Sequence, residues 1–193
     1  MTIVSLYIDE LFHIMIGFLP LYCIARILWV QGSGSNRSRL VREIVMAVFV
    51  LFMIGLLTLT FREGQDVMKS TTFARAWERL RRGDGVNLKP FYTIKRFLKV
   101  SSPYLIRVNI IGNIVMFMPW GLGLPLLWKK FQSVWKVTIM SLALPLCIEF
   151  TQLFVGRTVD VDDIILNFIG GVLGGLIYLV LSLLFSKVDE LAE

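Results

Sequence analysis

The sequence predicts an all-α, polytopic membrane bundle of about five transmembrane helices, with one long polar loop that contains interfacial helices. Three observations carry that prediction. The 193-residue chain is 56% hydrophobic and only 18% charged, against about 45–50% and 25% in an ordinary soluble domain, and its mean hydropathy is +0.72. Its apolar residues are gathered into blocks, and a helix needs roughly 20 such residues to cross a hydrocarbon layer. Its net charge of +6 is confined to the connections and ends between those blocks. Membrane lipid headgroups therefore explain the basic charge better than nucleic acid does.

The first block runs from about Leu11 to Val30, is interrupted by Pro20, and closes on Arg26 and Trp29, residues suited to a headgroup boundary. Asp9 and Glu10 stand where a signal peptide would be basic, so this block is expected to stay attached as a span. A Gly/Ser/Asn/Arg connection leads to the second block, about Ile44 to Phe61, whose polar members are Thr58 and Thr60. In the long polar stretch that follows, Phe73, Trp77 and Leu80 recur at helical spacing with arginines between them, the pattern of a helix lying on headgroups. Gly83-Asp84-Gly85 breaks it, residues 87–91 should be irregular or extended around Pro90, and Thr93 to Val100 reads as a second short surface helix.

The third block, about Arg107 to Trp128, contains Pro119 and Pro125, which should kink its further half. The fourth, about Val134 to Leu153, carries Pro145, Glu149 and Gln152. The fifth, about Ile164 to Phe185, holds two small-xxx-small pairs, Gly170 with Gly174 and Gly171 with Gly175, which would let a neighbouring helix approach closely. Cys23 and Cys147 sit in apolar stretches and read as small core residues.

Two spans separate the long polar loop from the loop holding Asp160 to Asp163, so both should lie on one membrane face. Arg37, Arg39 and Arg42 after the first span, and Lys129, Lys130 and Lys136 after the third, belong on the cytoplasmic side by the positive-inside rule. That puts the N-terminus and the acidic loop outside and the C-terminus inside. Against it, residues 61–99 carry ten Lys/Arg and four acids, a basic excess that this orientation exports.

An ionised carboxylate within lipid is costly, at least about 2.5 kcal/mol on insertion scales, so Glu149 should face a partner or a polar cavity, unless it reaches headgroup water at the span's end. Gln152 shares its face. Asp162 or Asp163 could be a helix cap, with Asn167 one turn beyond Asp163. Three aspartates exceed what a cap needs, and Glu149, Asp160, Asp162 and Asp163 together could hold a divalent cation such as Mg²⁺ or Ca²⁺, or bind a cationic group. Arg107, Asn109, Asn113, Asn87 and Phe91 should reach the same region, with Arg157 or Arg107 for a phosphate or carboxylate. His13 has no companion and reads as structural. No nucleophile elbow and no phosphate loop is present, so triad acyl transfer and ATP hydrolysis lack support.

The polar residues also fall into a recognisable order. Asn87-Leu88-Lys89-Pro90-Phe91, Asn109 through Asn113 to Pro119-Trp120-Gly121, Glu149-Phe150-Thr151-Gln152, Gly156-Arg157, Asp160-Val161-Asp162-Asp163 and Asn167-Phe168-Ile169-Gly170-Gly171 together resemble the VanZ-like membrane protein family. Lys89 and Trp120 depart from its commoner residues. The resemblance covers residues 44–185, leaving 1–43 as an additional span with its basic connection and 186–193 as a short polar tail.

The resemblance implies a bacterial cytoplasmic-membrane protein, in a family whose founding member is linked to teicoplanin resistance. Three readings stay open. The first is binding of a lipoglycopeptide or lipid-linked cell-envelope precursor by Asn87, Phe91, Arg107, Asn109, Asn113, Gln152, Arg157, Asp160, Asp162 and Asn167. The second is a metal-assisted enzyme acting on a lipid or polyprenyl phosphate, with Glu149 and Asp163 catalytic and a divalent cation and arginines stabilising charge on phosphoryl oxygens. The third is a structural partner of another membrane protein through the glycine-rich fifth span.

Overall fold

The computed structural model describes residues 37–62, 73–100, 103–155, 157–185 and 188. The first predicted span, with His13 and Cys23, lies outside the described residues, as does nearly all of the tail. Four long helices follow one another: α1 (Arg37–Arg62), α5 (Gly112–Leu127), α6 (Val134–Val155) and α7 (Val161–Leu184). Between α1 and α5 come α2 (Phe73–Arg82), the strand β1 (Val86–Asn87), α3 (Tyr92–Val100) and the single turn α4 (Pro103–Ile106). A second short strand, β2 (Val159–Asp160), joins α6 to α7.

Four segments are long and apolar enough to cross a membrane, namely Leu40–Thr60, Arg107–Leu127, Val134–Phe154 and Val161–Leu184. Their outward faces expose Val48 and Leu57, Val115, Leu142 and Phe150, and Leu176 and Val180. An array of that size would be an aggregation hazard in water and is ordinary against lipid tails. The protein is a multi-pass membrane protein. Cys147 lies on this exposed surface of α6 and so is not the core residue that its apolar surroundings suggest.

Helix α2 stops where the sequence predicts. Gly83 and Gly85 adopt φ of 71° and 69°, a left-handed conformation that glycine reaches without a Cβ penalty. The third span holds a feature the sequence does not announce. Arg107–Ile111 is a π-helical turn, in which the Gly112 N–H donates back to the Arg107 carbonyl. The helix then runs through Pro119 and Pro125 to Leu127.

Helix α7 lies between α5 and α6, and its glycines set the spacing to both. A Cβ on Gly170 would collide with the Ile114 carbonyl, and one on Gly174 with the Met118 carbonyl, so this pair faces the α5 backbone. On the adjoining stripe, a Cβ on Gly171 would stand 2.6 Å from Ser141 Cβ and one on Gly175 2.8 Å from Val137 Cγ1, both on α6. Gly121 of α5 completes the contact, because a Cβ there would run into the Gly171 carbonyl. Contact at backbone distance maximises dispersion between helices that gain nothing from water exclusion.

At the end of the bundle away from the long polar loop, α1 packs through Phe49. Its ring stacks on Trp120 at 5.9 Å and meets Trp128 edge-on at 5.7 Å, and Gly123 leaves room for it. Trp120 Nε1 donates to the Met140 carbonyl at 3.0 Å, tying α5 to α6.

Replacing Gly174 with valine should lower the detergent melting temperature and the yield of folded protein, because forced overpacking costs about 1–3 kcal/mol or more. The exposed Leu176→Val change on the same helix should alter neither. Thermal unfolding of the two purified variants beside the parent checks the contrast.

Candidate functional site

The site begins with the pairing of two loops. β1 and β2 run parallel with Val86 opposite Val159 and Asn87 opposite Asp160, and the Val159 N–H donates to the Gly85 carbonyl at 2.9 Å. The long polar loop and the acidic loop thus meet on one face, as counting spans requires.

Side chains then lash the loops together. Asp160 is the N-cap of α7, its Oδ1 accepting from the Asp162 N–H at 2.9 Å. The same oxygen accepts from Asn87 Nδ2 at 3.1 Å, and Oδ2 accepts from the Thr93 hydroxyl at 2.5 Å. Asp162 is fully buried and reaches back to the start of α3. Its Oδ1 accepts from the Phe91 N–H at 2.5 Å, and its Oδ2 from the N–H groups of Thr93 at 2.7 Å and Ile94 at 3.0 Å. A helix start leaves such donors unpaired and carries partial positive charge, so a buried carboxylate is stabilised there. The arrangement holds Phe91 at φ 62°, a left-handed conformation uncommon outside glycine.

Below this layer lies a cavity of about 130 Å³ to which all four described spans contribute. Leu59 and Thr60 of α1, Asn113, Met116 and Phe117 of α5, and Ile148 of α6 form part of its wall. The polar remainder is Glu149 and Gln152 of α6, Arg157 of the acidic loop, and Asp163 and Asn167 of α7. Glu149 is 3% exposed. Its Oε2 accepts from the Asp160 N–H at 3.0 Å. The Gln152 amide, oriented to donate, stands 3.2 Å from Oε1 and 3.3 Å from Oε2, which gives the Glu-x-x-Gln spacing its physical content.

Asp163 Oδ1 accepts from Asn113 Nδ2 at 2.9 Å, bridging α7 to α5. Arg157 Nη1 donates to the Thr60 carbonyl at the end of the first described span. Arg79 of α2 clamps the outgoing turn of α6, its Nη2 and Nη1 donating to the carbonyls of Arg157 at 3.1 Å and Leu153 at 3.4 Å.

The candidate residues therefore divide. Glu149, Gln152, Arg157, Asp163, Asn113 and Asn167 line the cavity, whereas Asn87, Asp160, Asp162 and the Phe91 N–H build the lash above it. Arg107 is exposed and Asn109 half-buried, and neither lines the cavity. The Phe91 ring is half-exposed and contributes no apolar wall.

Two expectations need correction. The cap of α7 is Asp160 rather than Asp162 or Asp163. Nor do Glu149, Asp160, Asp162 and Asp163 form a metal-holding group; among the described residues no three His, Cys, Asp or Glu side chains do. The physical reason is that the oxygens of Asp160 and Asp162 already accept from backbone and side-chain donors of residues 87–94.

Residues that sequence reading missed are Arg79, Thr93 and Thr60. Arg79 is one of several arginines on an amphipathic helix and nothing singles it out. Thr93 bonds both Asn87 and Asp160, and its signal was only a hydroxyl at a helix start.

Comparison with known proteins adds the family. A family model described as VanZ/LLP1 matches residues 46–184. The chain belongs to the VanZ/LLP1 family. No curated protein and no solved structure matches it. The VanZ/LLP1 match runs from α1 through α7, so the cavity and the lash both fall within it. Its glycine stripes do too, and these already face α5 and α6 of the same chain.

Asp162→Ala should leave the protein membrane-inserted and loosen its surface layer. The variant loses three hydrogen bonds from part-buried N–H groups to a charged acceptor, each worth about 1.5–3 kcal/mol. Hydrogen exchange at the Thr93 and Ile94 amides should quicken by tenfold or more on the scale of about 1.4 kcal/mol per decade, while amides in the middle of α6 keep parental rates.

Proposed function

We propose that this protein binds the polar head of an amphiphile at the outer face of a bacterial cytoplasmic membrane, a teicoplanin-like lipoglycopeptide or a lipid-linked cell-envelope component, and thereby contributes to drug tolerance. The observation that carries the reading is the cavity beside Glu149, Asp163 and Arg157, at the loop-bearing end of the bundle. Sites for whole drug-sized ligands occupy about 300–1,000 Å³, so a cavity of about 130 Å³ admits a head or one substituent. The rest of an amphiphile would lie along the lipid-facing surface.

The outer placement rests on Lys129 and Lys130 in the connection at the opposite end and Lys136 in the first turn of α6, which belong inside by the positive-inside rule. This orientation puts the N-terminus outside and the C-terminus inside. The sequence-family division into residues 1–43, 44–185 and 186–193 is part of the same proposal.

One observation favours a second reading, an enzyme acting on a lipid or polyprenyl phosphate. Glu149 and Asp163 face one cavity together with a guanidinium, and such a set could move a proton while Arg157 stabilises charge on phosphoryl oxygens. With Asp160 and Asp162 engaged elsewhere, that chemistry would not draw on a four-carboxylate cation site. A purely structural partnership through the fifth span has less support, because its glycine stripes face helices of the same chain.

Glu149→Gln should accumulate to the parental level yet bind lipoglycopeptide or lipid-linked precursor at least about tenfold more weakly, as expected for loss of a charged hydrogen-bonding partner. Binding by the parent should be saturable, indifferent to exhaustive chelation, and should return the ligand with unchanged mass. A changed mass would move the assignment to the enzyme, and full-strength binding by the variant would sink both readings.

A further inference from the structure

We propose that the layer formed by α2 and α3 is a docking surface for anionic lipid headgroups, so that the protein gathers negatively charged phospholipid around the loop-bearing end of its bundle. The inference needs nothing of the cavity and goes beyond the amphiphile-binding reading. Three observations lead to it: the height at which the two helices are pinned, the apolar side chains they leave uncovered, and their charge.

A span of 21 residues such as Val134–Phe154 is roughly 31 Å long at 1.5 Å per residue, about the thickness of the hydrocarbon layer, so its end lies where headgroups begin. Arg79 of α2 donates to the carbonyl of Leu153, the last residue but one of that span, and to the carbonyl of Arg157 just beyond it. The N–H groups of Thr93 and Ile94 in α3 donate to Asp162, the second residue of the span Val161–Leu184. Both helices are thereby pinned at headgroup level.

On α2, Ala76 is buried against the protein, whereas Trp77 is 55% and Leu80 41% exposed. On α3, Leu98 is 52% exposed. An indole and two leucines at this height suit the boundary between headgroups and acyl chains, where an interfacial helix lays its apolar side. The uncovered surface therefore fits a membrane better than it fits an acidic protein arriving from water.

Charge then selects the lipid. Between residues 76 and 99 six cations are exposed, Arg81, Arg82, Lys89, Lys95, Arg96 and Lys99, against two exposed acids, Glu78 and Asp84. Glu78 stands 3.4 Å from Arg82. Arg81 follows Trp77 by four residues and Lys95 precedes Leu98 by three, so each pair shares a patch of helix surface. The apolar member can enter the boundary while its cation meets a phosphate. A zwitterionic headgroup would cover the apolar side chains equally well and leave the excess of cations unanswered. A headgroup of net negative charge satisfies both.

The full chain, purified in detergent, is given equal amounts of phosphatidylglycerol and phosphatidylcholine with identical acyl chains, and native mass spectrometry counts the lipid of each kind that stays bound. The parent is expected to retain about tenfold more phosphatidylglycerol at low salt, the ratio falling towards one as added salt shortens the screening length. Arg81→Gln, Lys95→Gln, Arg96→Gln and Lys99→Gln combined should bring the ratio below about twofold at the parental phosphatidylcholine count, which reports an intact bundle. Lys129→Gln with Lys130→Gln, at the opposite end, should keep most of the preference.

Equal retention of the two lipids by the parent overturns the proposal, and that comparison stands even if the combined variant fails to fold. A combined variant that keeps the parental ratio also overturns it, as does loss of the preference in the Lys129, Lys130 variant, which would move the selectivity to the other end. None of these results bears on ligand binding beside Glu149, so the two readings fail separately.

Discussion

The carboxylate of Asp162 holds the functional face of this protein together. It is fully buried, and three backbone N–H groups at the start of α3 converge on its two oxygens. A carboxylate buried in this way without donors would face a penalty of several kcal/mol, so the loop and the acid each make the other's position tenable. Asp160 extends the same logic. Its side chain caps α7 and grips Asn87 and Thr93, and its own N–H steadies Glu149. Cavity and surface layer are consequently one hydrogen-bonded unit, with Asp160 common to both.

That unit needs a platform, and the glycines of α7 supply it. Because Gly170 and Gly174 abut the α5 backbone while Gly171 and Gly175 admit Ser141 and Val137 of α6, the three helices are locked at short range below the cavity. Helix α1 is attached differently, through the Phe49 aromatic contacts at one end, the buried Leu56 against Phe117 and Ile148 in its middle, and the link from Arg157 to the Thr60 carbonyl at the other end. The cavity therefore has three walls set at backbone distance and a fourth held by side chains.

Much of this was legible in the sequence. Hydropathy placed the four described spans to within a few residues, because the solvent requirement of a lipid-crossing helix dominates every local preference. Alternation of spans put Asn87 and Asp160 on one face, and the strand pairing brings them side by side. What the sequence could not separate was the work of similar residues. An aspartate that accepts backbone N–H groups looks the same in a string of letters as one that ligates a cation, and the partners of Asp162 lie 68 to 71 positions away. Arg79 was hidden among other arginines for the same reason. The π-helical turn at Arg107–Ile111 leaves no compositional trace.

The distance along the chain between Phe91 and Asp162 has a consequence for biogenesis. The two residues are 71 positions apart, and at about 5–20 residues per second the ribosome needs roughly 4–14 s to add the second after the first. For that interval the beginning of α3 lacks its cap, and the Asp160 that will steady Glu149 has not been made. A nascent chain can thread its early spans into the bilayer, but the cavity closes only when the last long helix has been delivered. The order of translation thus makes the recess the final part of the molecule to mature.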